Sequence, residues 1–311
     1  VFVMIRVVPG NPVAMMLPPG ATEADIARLQ ALYGLDRSIP EQFAIWAAGV
    51  VQGDFGTSIT TRQPVRTLVL GRLPATLELS VMALVIASAI GGGLALAGTR
   101  MRGTRTEGAI DVANGMALSV PDFLWGLVFI LLFGVLWPVF HISGRVSPAL
   151  DIQFATNFLL FESVLRLRFD IWADLVAHMF MPALALAIPL AAVIAQLLKQ
   201  SLKETMHLDY VTLARTKGYG ENHVILREAL PNAILPTLTL VGVQFTFLIG
   251  GTVIIERLFS YEGLGNLAID AVINRDLPLI QGIVLLFAAL FTAVNLLVDL
   301  AYAALNPRLR H

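Results

Sequence analysis

The sequence predicts an all-α, polytopic membrane protein, and three observations carry that expectation. Hydrophobic residues fill 57% of the 311 positions, charged residues only 14%, and the mean hydropathy is +0.76. Those values lie far from a water-soluble globule. Several stretches approach or exceed the roughly 20 apolar residues that cross a bilayer as a helix. The charges are gathered into the connecting segments, most densely in Asp209–Pro236, DYVTLARTKGYGENHVILREALPNAILP. No basic patch interleaved with aromatics points to nucleic acid. With no cysteine in the chain, disulfides and thiolate metal sites within it are excluded.

Taken in order, Pro9 to about Leu73 contains no span. Thr22 with Asp25 three residues on reads as a helix start, and Gly34 closes that helix after Tyr33, with Ile26, Leu29, Leu32 and Tyr33 as its apolar stripe. A second amphipathic segment after Pro40 sets Phe43, Trp46, Ala47 and Val50 on one side, and GDFGTS (Gly53–Ser58) returns the chain to the bilayer. Residues 9–73 thus form a lobe outside the membrane, either a docking site for a substrate-delivery protein or a cap over helix ends. Leu77–Gly98 is a span whose Gly91–Gly93 run permits close helix approach. Ala109 to about Phe140 is a second, interrupted at SVPDF (Ser119–Phe123). The following loop holds the interfacial piece NFLLFESVLRL. Asp174–Leu198 is a third span with kinks at Pro182 and Pro189. Ala233–Ile255 and Pro278–Leu305 are the last two.

The stretch between the third and fourth of these spans, residues 199–232, has an internal logic. Tyr210, Leu213 and Ala214 recur at helical spacing, and Lys217 places a cation where the helix dipole favours one. Gly218 and Gly220 stop the helix, because a residue with positive φ is most easily glycine. A second helical stretch, His223–Ala229, leads to Pro231 and back into the bilayer. Nearly half of the 21 Lys+Arg residues, and all three lysines (Lys199, Lys203 and Lys217), fall in this segment, the Arg100–Arg105 loop and the tail. The positive-inside bias therefore places all three in the cytoplasm.

Ala214, Gly218 and Leu230-Pro231 resemble the EAA loop of bacterial ABC importer permeases, with Thr212 and Leu213 replacing the motif's glutamate and first alanine. Further matches to the dipeptide/oligopeptide/nickel branch are RVVPGNP (Arg6–Pro12), YGLD (Tyr33–Asp36), GDFGTS, RLPATLELS (Arg72–Ser80), ERLFSYEGLG (Glu256–Gly265) and NRDLPLIQG (Asn274–Gly282). Their order covers the chain almost end to end. The resemblance implies a type I ABC importer permease fold with six transmembrane helices in the full protein, residues 1–8 being the end of a first helix mostly missing here. Residues 74–311 form the transmembrane permease domain with cytoplasmic coupling loop 199–232. Implied partners are a second homologous permease, two ATPase subunits that bind ATP and Mg, and an extracytoplasmic solute-binding protein. The implied location is the bacterial cytoplasmic (inner) membrane.

The resemblance also assigns Asp209, Tyr210, Leu213, Ala214, Arg215, Lys217 and Gly218 to ATPase coupling. Polar residues within spans are costly in lipid and are functional candidates. Asp122 and Gln244 are read as lining a substrate path; Asp122 marks a helix break, and interhelical hydrogen bonding is the alternative for Gln244. Gln196 and Asn295 are similar, and Asp299 would pair with Arg310 or an arginine of the Arg100–Arg105 loop. Glu256, Glu262, Arg275 and Asp276 are expected at an outer docking surface or gate, with a solvated turn as the alternative. The five histidines (His141, His178, His207, His223 and His311) show no close ligand spacing, so no metal site is expected, and no cofactor in this chain. HExxH, G-x-S-x-G and P-loop signatures are absent, so hydrolysis of ATP falls to another chain. A stand-alone ion-coupled transporter would show internal repeats and intramembrane ion pairs, and the two halves carry no repeat. Peptides head the cargo expectation, with nickel chelates, glutathione, opines and sugars open.

Overall fold

The computed structural model describes residues 2–3, 22, 24 and 36–305. The helix expected over Thr22–Tyr33, the stretch Arg6–Pro12, the end of a first span, the tail and the side-chain pairing of Asp299 lie outside the described residues. Within them the chain is helical, with only an isolated Thr57–Pro64 bridge of β type. Helix α1 is Ile39–Val51, α2 Val65–Arg100, α3 Arg105–Ser119, α4 Asp122–Leu136, α5 Leu159–Leu165 and α6 Phe169–Thr205. Then come α7 (Asp209–Thr216), α8 (Glu221–Leu258), α9 (Leu264–Ile273) and α10 (Leu277–Leu305). Among the described residues α2, α6, α8 and α10 are long and apolar enough to cross a membrane, and the bent pair α3–α4 passes the same test when its two arms are counted together as one span. Counted so, these are the five segments the sequence predicts.

The long helices overrun their predicted ends. Helix α2 starts at Val65 rather than Leu77, inside the stretch read as a lobe, and its 36 residues cover about 54 Å at about 1.5 Å per residue. The hydrocarbon core needs only about 30 Å, so polar residues such as Arg66 and Arg72 continue the helix beyond it. Helix α6 likewise runs from Phe169 to Thr205 and stays helical through Pro182 and Pro189. Helix α1 begins with a capping box in which Glu41 accepts from the Ser38 amide at 3.2 Å. Its Phe43 and Trp46 rings meet Phe2 at 5.3 and 5.4 Å.

The break at SVPDF is a 101° bend. Pro121 has no amide proton, and it drives Val120 out of the helical region to φ −101°, ψ 122°. Asp122 then accepts from the Phe123 amide at 2.7 Å, which helps to start α4. The second half of α4, Ile130–Leu136, is wound as a π-helix.

Helix α6 is the hub. Two thirds of its apolar window is buried, against a third or less for the other spans, and α2, α3, α4, α5 and α8 all pack on it. The main core joins Leu79, Ala83 and Ala87 of α2 to Met179, Leu186 and Leu190 of α6, with Leu248 and Ile255 of α8. Of the three glycines expected to permit close approach only Gly91 does so: a Cβ there would press on Ala191 and Ile194, whereas Gly92 and Gly93 face open space.

Candidate functional site

The segment 199–232 folds as a compact loop. In α7, the i, i+3 pair Val211 and Ala214 turns inward and packs with Ala95, Leu198, Leu202, Met206, Val224, Ile225 and Ala229. Tyr210 and Leu213 fall on the other side, 38% and 54% exposed. Ala214, grouped with the contact residues by sequence, is therefore an inward-packing residue. Asp209 lies in the first turn, where its charge suits the helix dipole. Gly218 has φ +84°, its amide bonds the Arg215 carbonyl at 2.9 Å, and the Tyr219 amide bonds the Ala214 carbonyl at 3.4 Å. Those two bonds form a Schellman motif, which consumes carbonyls the helix end leaves open. Arg215 is tied back to Glu221 at 3.0 Å and to the Met206 carbonyl at 3.3 Å, while Asn232 donates to the Tyr210 hydroxyl at 2.8 Å. Lys217 caps the helix and is exposed. The expected second helix is α8 itself: Val224–Ala229 is a π-helical turn, and Pro231 is accommodated without a break.

Beside the loop, Lys199 joins the end of α6 to the start of α3 through Glu107 at 2.8 Å and Asp111 at 2.7 Å. A cavity of about 530 Å³ opens there, lined in part by Arg100, Arg102, Lys199, Lys203 and Arg215.

The two substrate-path candidates share a cavity. Asp122, at the bend, and Gln244, in the middle of α8, line one cavity of about 300 Å³ with Pro121, Pro189 and Phe247. Both side chains are half-buried. Among the described residues no salt bridge to Asp122 is present. Asn295 instead accepts from Thr246 at 3.1 Å, a hydrogen bond between α8 and α10.

At the opposite end from the loop, two of the four surface candidates prove to be internal. Glu256 is 0% exposed. It accepts from the Thr76 hydroxyl at 2.7 Å and from the Gly265 and Asn266 amides at 2.7 and 3.1 Å, so it holds the N-terminus of α9 against α2. Thr76 completes the junction by accepting from the Leu264 amide at 2.8 Å. A Cβ on Gly265 would strike the Val253 backbone, so that position requires glycine, and one on Gly263 would displace the Glu256 carboxylate from its donors. Asp276 is also 0% exposed. It accepts from the Ser58 hydroxyl at 2.6 Å and the Thr60 amide at 3.0 Å, clamping the GDFGTS turn to the start of α10. The docking expectation is corrected for this pair: a buried carboxylate needs donors around it, and the fold supplies them. Glu262 and Arg275 are exposed, and Glu262 pairs with Arg72 at 2.6 Å.

Sequence reasoning missed the buried pair Glu78–Arg145, 2.7 Å apart, in which Arg145 also donates to the Asn157 carbonyl at 2.7 Å. Tyr261 is wholly buried nearby, and that burial pushes its phenol well above the ordinary range. Sequence reasoning also missed a histidine pair. The His141 and His178 rings stack at 3.9 Å with Asp174 beside them, although no local spacing announces this.

The bundle has the type I ABC importer permease fold. It superimposes on an amino acid ABC transporter structure with TM-score 0.53 at 17% identity, covering 76% of this chain and 94% of that one. An inward-facing methionine transporter, MetNI, gives 0.56 at 14%, covering 75% and 93%. Residues 67–311 match the family described as binding-protein-dependent transport system inner membrane component, and the chain belongs to it. Over its whole length it is 38% identical to the dipeptide transport system permease protein DppB of Escherichia coli K12, covering 93% of that protein. It is 30% identical to the oligopeptide transport system permease protein AppB of Bacillus subtilis, again covering 93%.

Proposed function

We propose that this chain is one of the two permease subunits of an ATP-driven peptide importer of the bacterial inner membrane. It pairs with a second, homologous permease to enclose the pathway and rests on two ATPase subunits that bind ATP and Mg. An extracytoplasmic solute-binding protein delivers the substrate, and alternating access releases it to the cytoplasm. Full-length similarity to permease proteins named for dipeptides and oligopeptides is the observation that carries this reading.

In this reading α7 is the coupling helix. Tyr210, Leu213 and Lys217 meet a groove on the ATPase, Val211 and Ala214 pass its displacement to α2 and α6, and Gly218 holds the bend. Asp122 and Gln244 line the substrate path, where a carboxylate and an amide suit the ammonium and backbone groups of a peptide. Exposed Glu262 and Arg275 belong to the docking face, while Glu256 and Asp276 support that face from within.

The test is ATPase activity of the complex reconstituted in proteoliposomes, with the binding protein loaded in turn with dipeptides, longer peptides and nickel chelates. Stimulation by peptides alone is the expected result. Stimulation by chelates and not peptides would overturn the cargo assignment, and transport by this chain alone on an ion gradient would overturn the class.

A further inference from the structure

We infer that His141, Asp174 and His178 form a binding site for a divalent transition-metal ion of the zinc class, at the end of α6 remote from the coupling loop. Asp174 and His178 are one helical turn apart and share a face of α6. His141 comes from the loop that follows α4, so an ion here would fasten that loop to the hub helix. One nitrogen of each imidazole and one Asp174 oxygen lie within 4.8 Å of one another.

A zinc ion binds nitrogen and oxygen at about 2.0–2.2 Å in a tetrahedron, which sets its ligands roughly 3.3–3.6 Å apart. His178 Nδ1 and Asp174 Oδ2 are already 3.4 Å apart. The remaining closure is of the order of an ångström, and it requires His141, whose side chain is exposed, to turn out of the 3.9 Å stack when an ion binds.

The other two ligands are held in advance. Both Asp174 oxygens are occupied on one side by Ser147, which donates from its amide at 2.8 Å and its hydroxyl at 2.6 Å. The His178 ring is only 4% exposed and is held by packing; its Nδ1, 2.8 Å from the Asp174 carbonyl, gives up that hydrogen bond when it ligates an ion. Outer hydrogen bonds such as those from Ser147 fix the orientation of ligating carboxylates at metal centres. The neutral imidazole is the form that binds metal. Two imidazoles and one carboxylate suit Zn²⁺, Ni²⁺ or Cu²⁺ better than Ca²⁺ or Mg²⁺, which prefer oxygen alone. Three protein ligands leave a fourth position for water.

The experiment uses the full chain in lipid nanodiscs, stripped with chelator and carrying a tag free of histidine. ZnCl₂ alone is titrated by calorimetry, and bound zinc is counted by elemental analysis. Wild type is expected to hold one more zinc per chain than His141→Ala, or to bind it at least tenfold more tightly. The His141 side chain is exposed, so that variant keeps the fold, as its tryptophan-monitored melting will verify. His178→Ala risks unfolding, so the second variant is His141→Cys, which retains a ligand. Loaded with Co²⁺, it should gain a thiolate-to-cobalt absorption band that wild type lacks, since the chain has no other cysteine. Equal zinc binding by wild type and His141→Ala overturns the inference, and so does a cysteine variant without that band.

Discussion

Replacing Gly218 separates the bend from everything else in the loop. Its φ is +84° and no atom lies within 4 Å of a Cβ built on it, so substitution meets backbone strain and no clash. Alanine in the left-handed region costs roughly 1–2 kcal/mol, and asparagine costs less, since it tolerates that region. Proline is a different case, because its ring holds φ near −65°, about 150° away. It also deletes the amide that bonds Arg215 and pulls Tyr219 off the Ala214 carbonyl, for a cost of about 3 kcal/mol or more. Hydrogen exchange at the Tyr219 amide should then quicken about tenfold in Gly218→Ala and more than a hundredfold in Gly218→Pro, each 1.4 kcal/mol being a factor of ten. Peptide uptake into proteoliposomes should fall in the order wild type, Asn, Ala, Pro, with membrane insertion unchanged. Proline uptake equal to wild type would refute the coupling role. Equal exchange rates for Ala and Pro would refute the backbone argument beneath it.

Two further outcomes follow from the opposite end of the bundle. Glu256→Ala strips acceptors from the Thr76 hydroxyl and the Gly265 and Asn266 amides, and each buried donor left open costs about 1–3 kcal/mol. Exchange across residues 263–268 should rise at least a hundredfold, whereas Glu256→Gln keeps one acceptor oxygen and should rise much less; similar rises in both would show that the carboxylate is not the anchor. Glu162 accepts from the Thr156 hydroxyl and amide and the Ala155 amide, and these bonds, led by the hydroxyl, hold its pKa down to about 2 from an ordinary 4.5. A depressed carboxyl stabilises the fold above its unfolded pKa, so protection of Ala155 and Thr156 should be constant above about pH 4.5 and lost as pH falls towards 2. Exchange corrected for its intrinsic pH dependence measures this, and Glu162→Gln should abolish the transition; a transition that persists in the variant would assign it to another group.

Spans were legible because lipid leaves the backbone one solution per segment, and the apolar run announces it. Their ends were not, since a helix that has left the bilayer needs no apolar residues, and Arg66 and Arg72 concealed the first turns of α2. The same limit hid α9, whose ten residues are too few to span and lie in what reads as a charged loop. At the site, the helix over Asp209–Thr216 and the positive φ of Gly218 follow from periodicity and glycine chemistry, and the cost of polar groups in lipid singles out Asp122 and Gln244, though not the cavity they share. Glu256, Asp276 and the Glu78–Arg145 pair defeat that reasoning. A carboxylate in an interhelical loop reads as solvated, and only the fold brings Thr76 or Ser58 to its side. His141 and His178 are hidden for the same reason.

The attachment of α7 decides what a load on its exposed face would do. Its polar fastenings are weak: Arg215–Glu221 is a surface pair, worth no more than about 1 kcal/mol. The apolar ones are not. Val211 and Ala214 of α7 are buried with Leu198, Leu202 and Met206 and with Val224 and Ile225 of α8, and a buried valine alone contributes about 1.5–3 kcal/mol. Displacing α7 from α6 would have to expose that cluster, whereas moving the two together would not. The ends of α2 and α6 beside the loop, joined to α3 through Lys199, are therefore the parts that would travel with α7 under such a load. At its far end α6 meets Ser147 through Asp174 and His141 through His178. A single continuous helix thus connects the loop to the opposite face, and an ion bound there would stiffen its far attachment without touching α7.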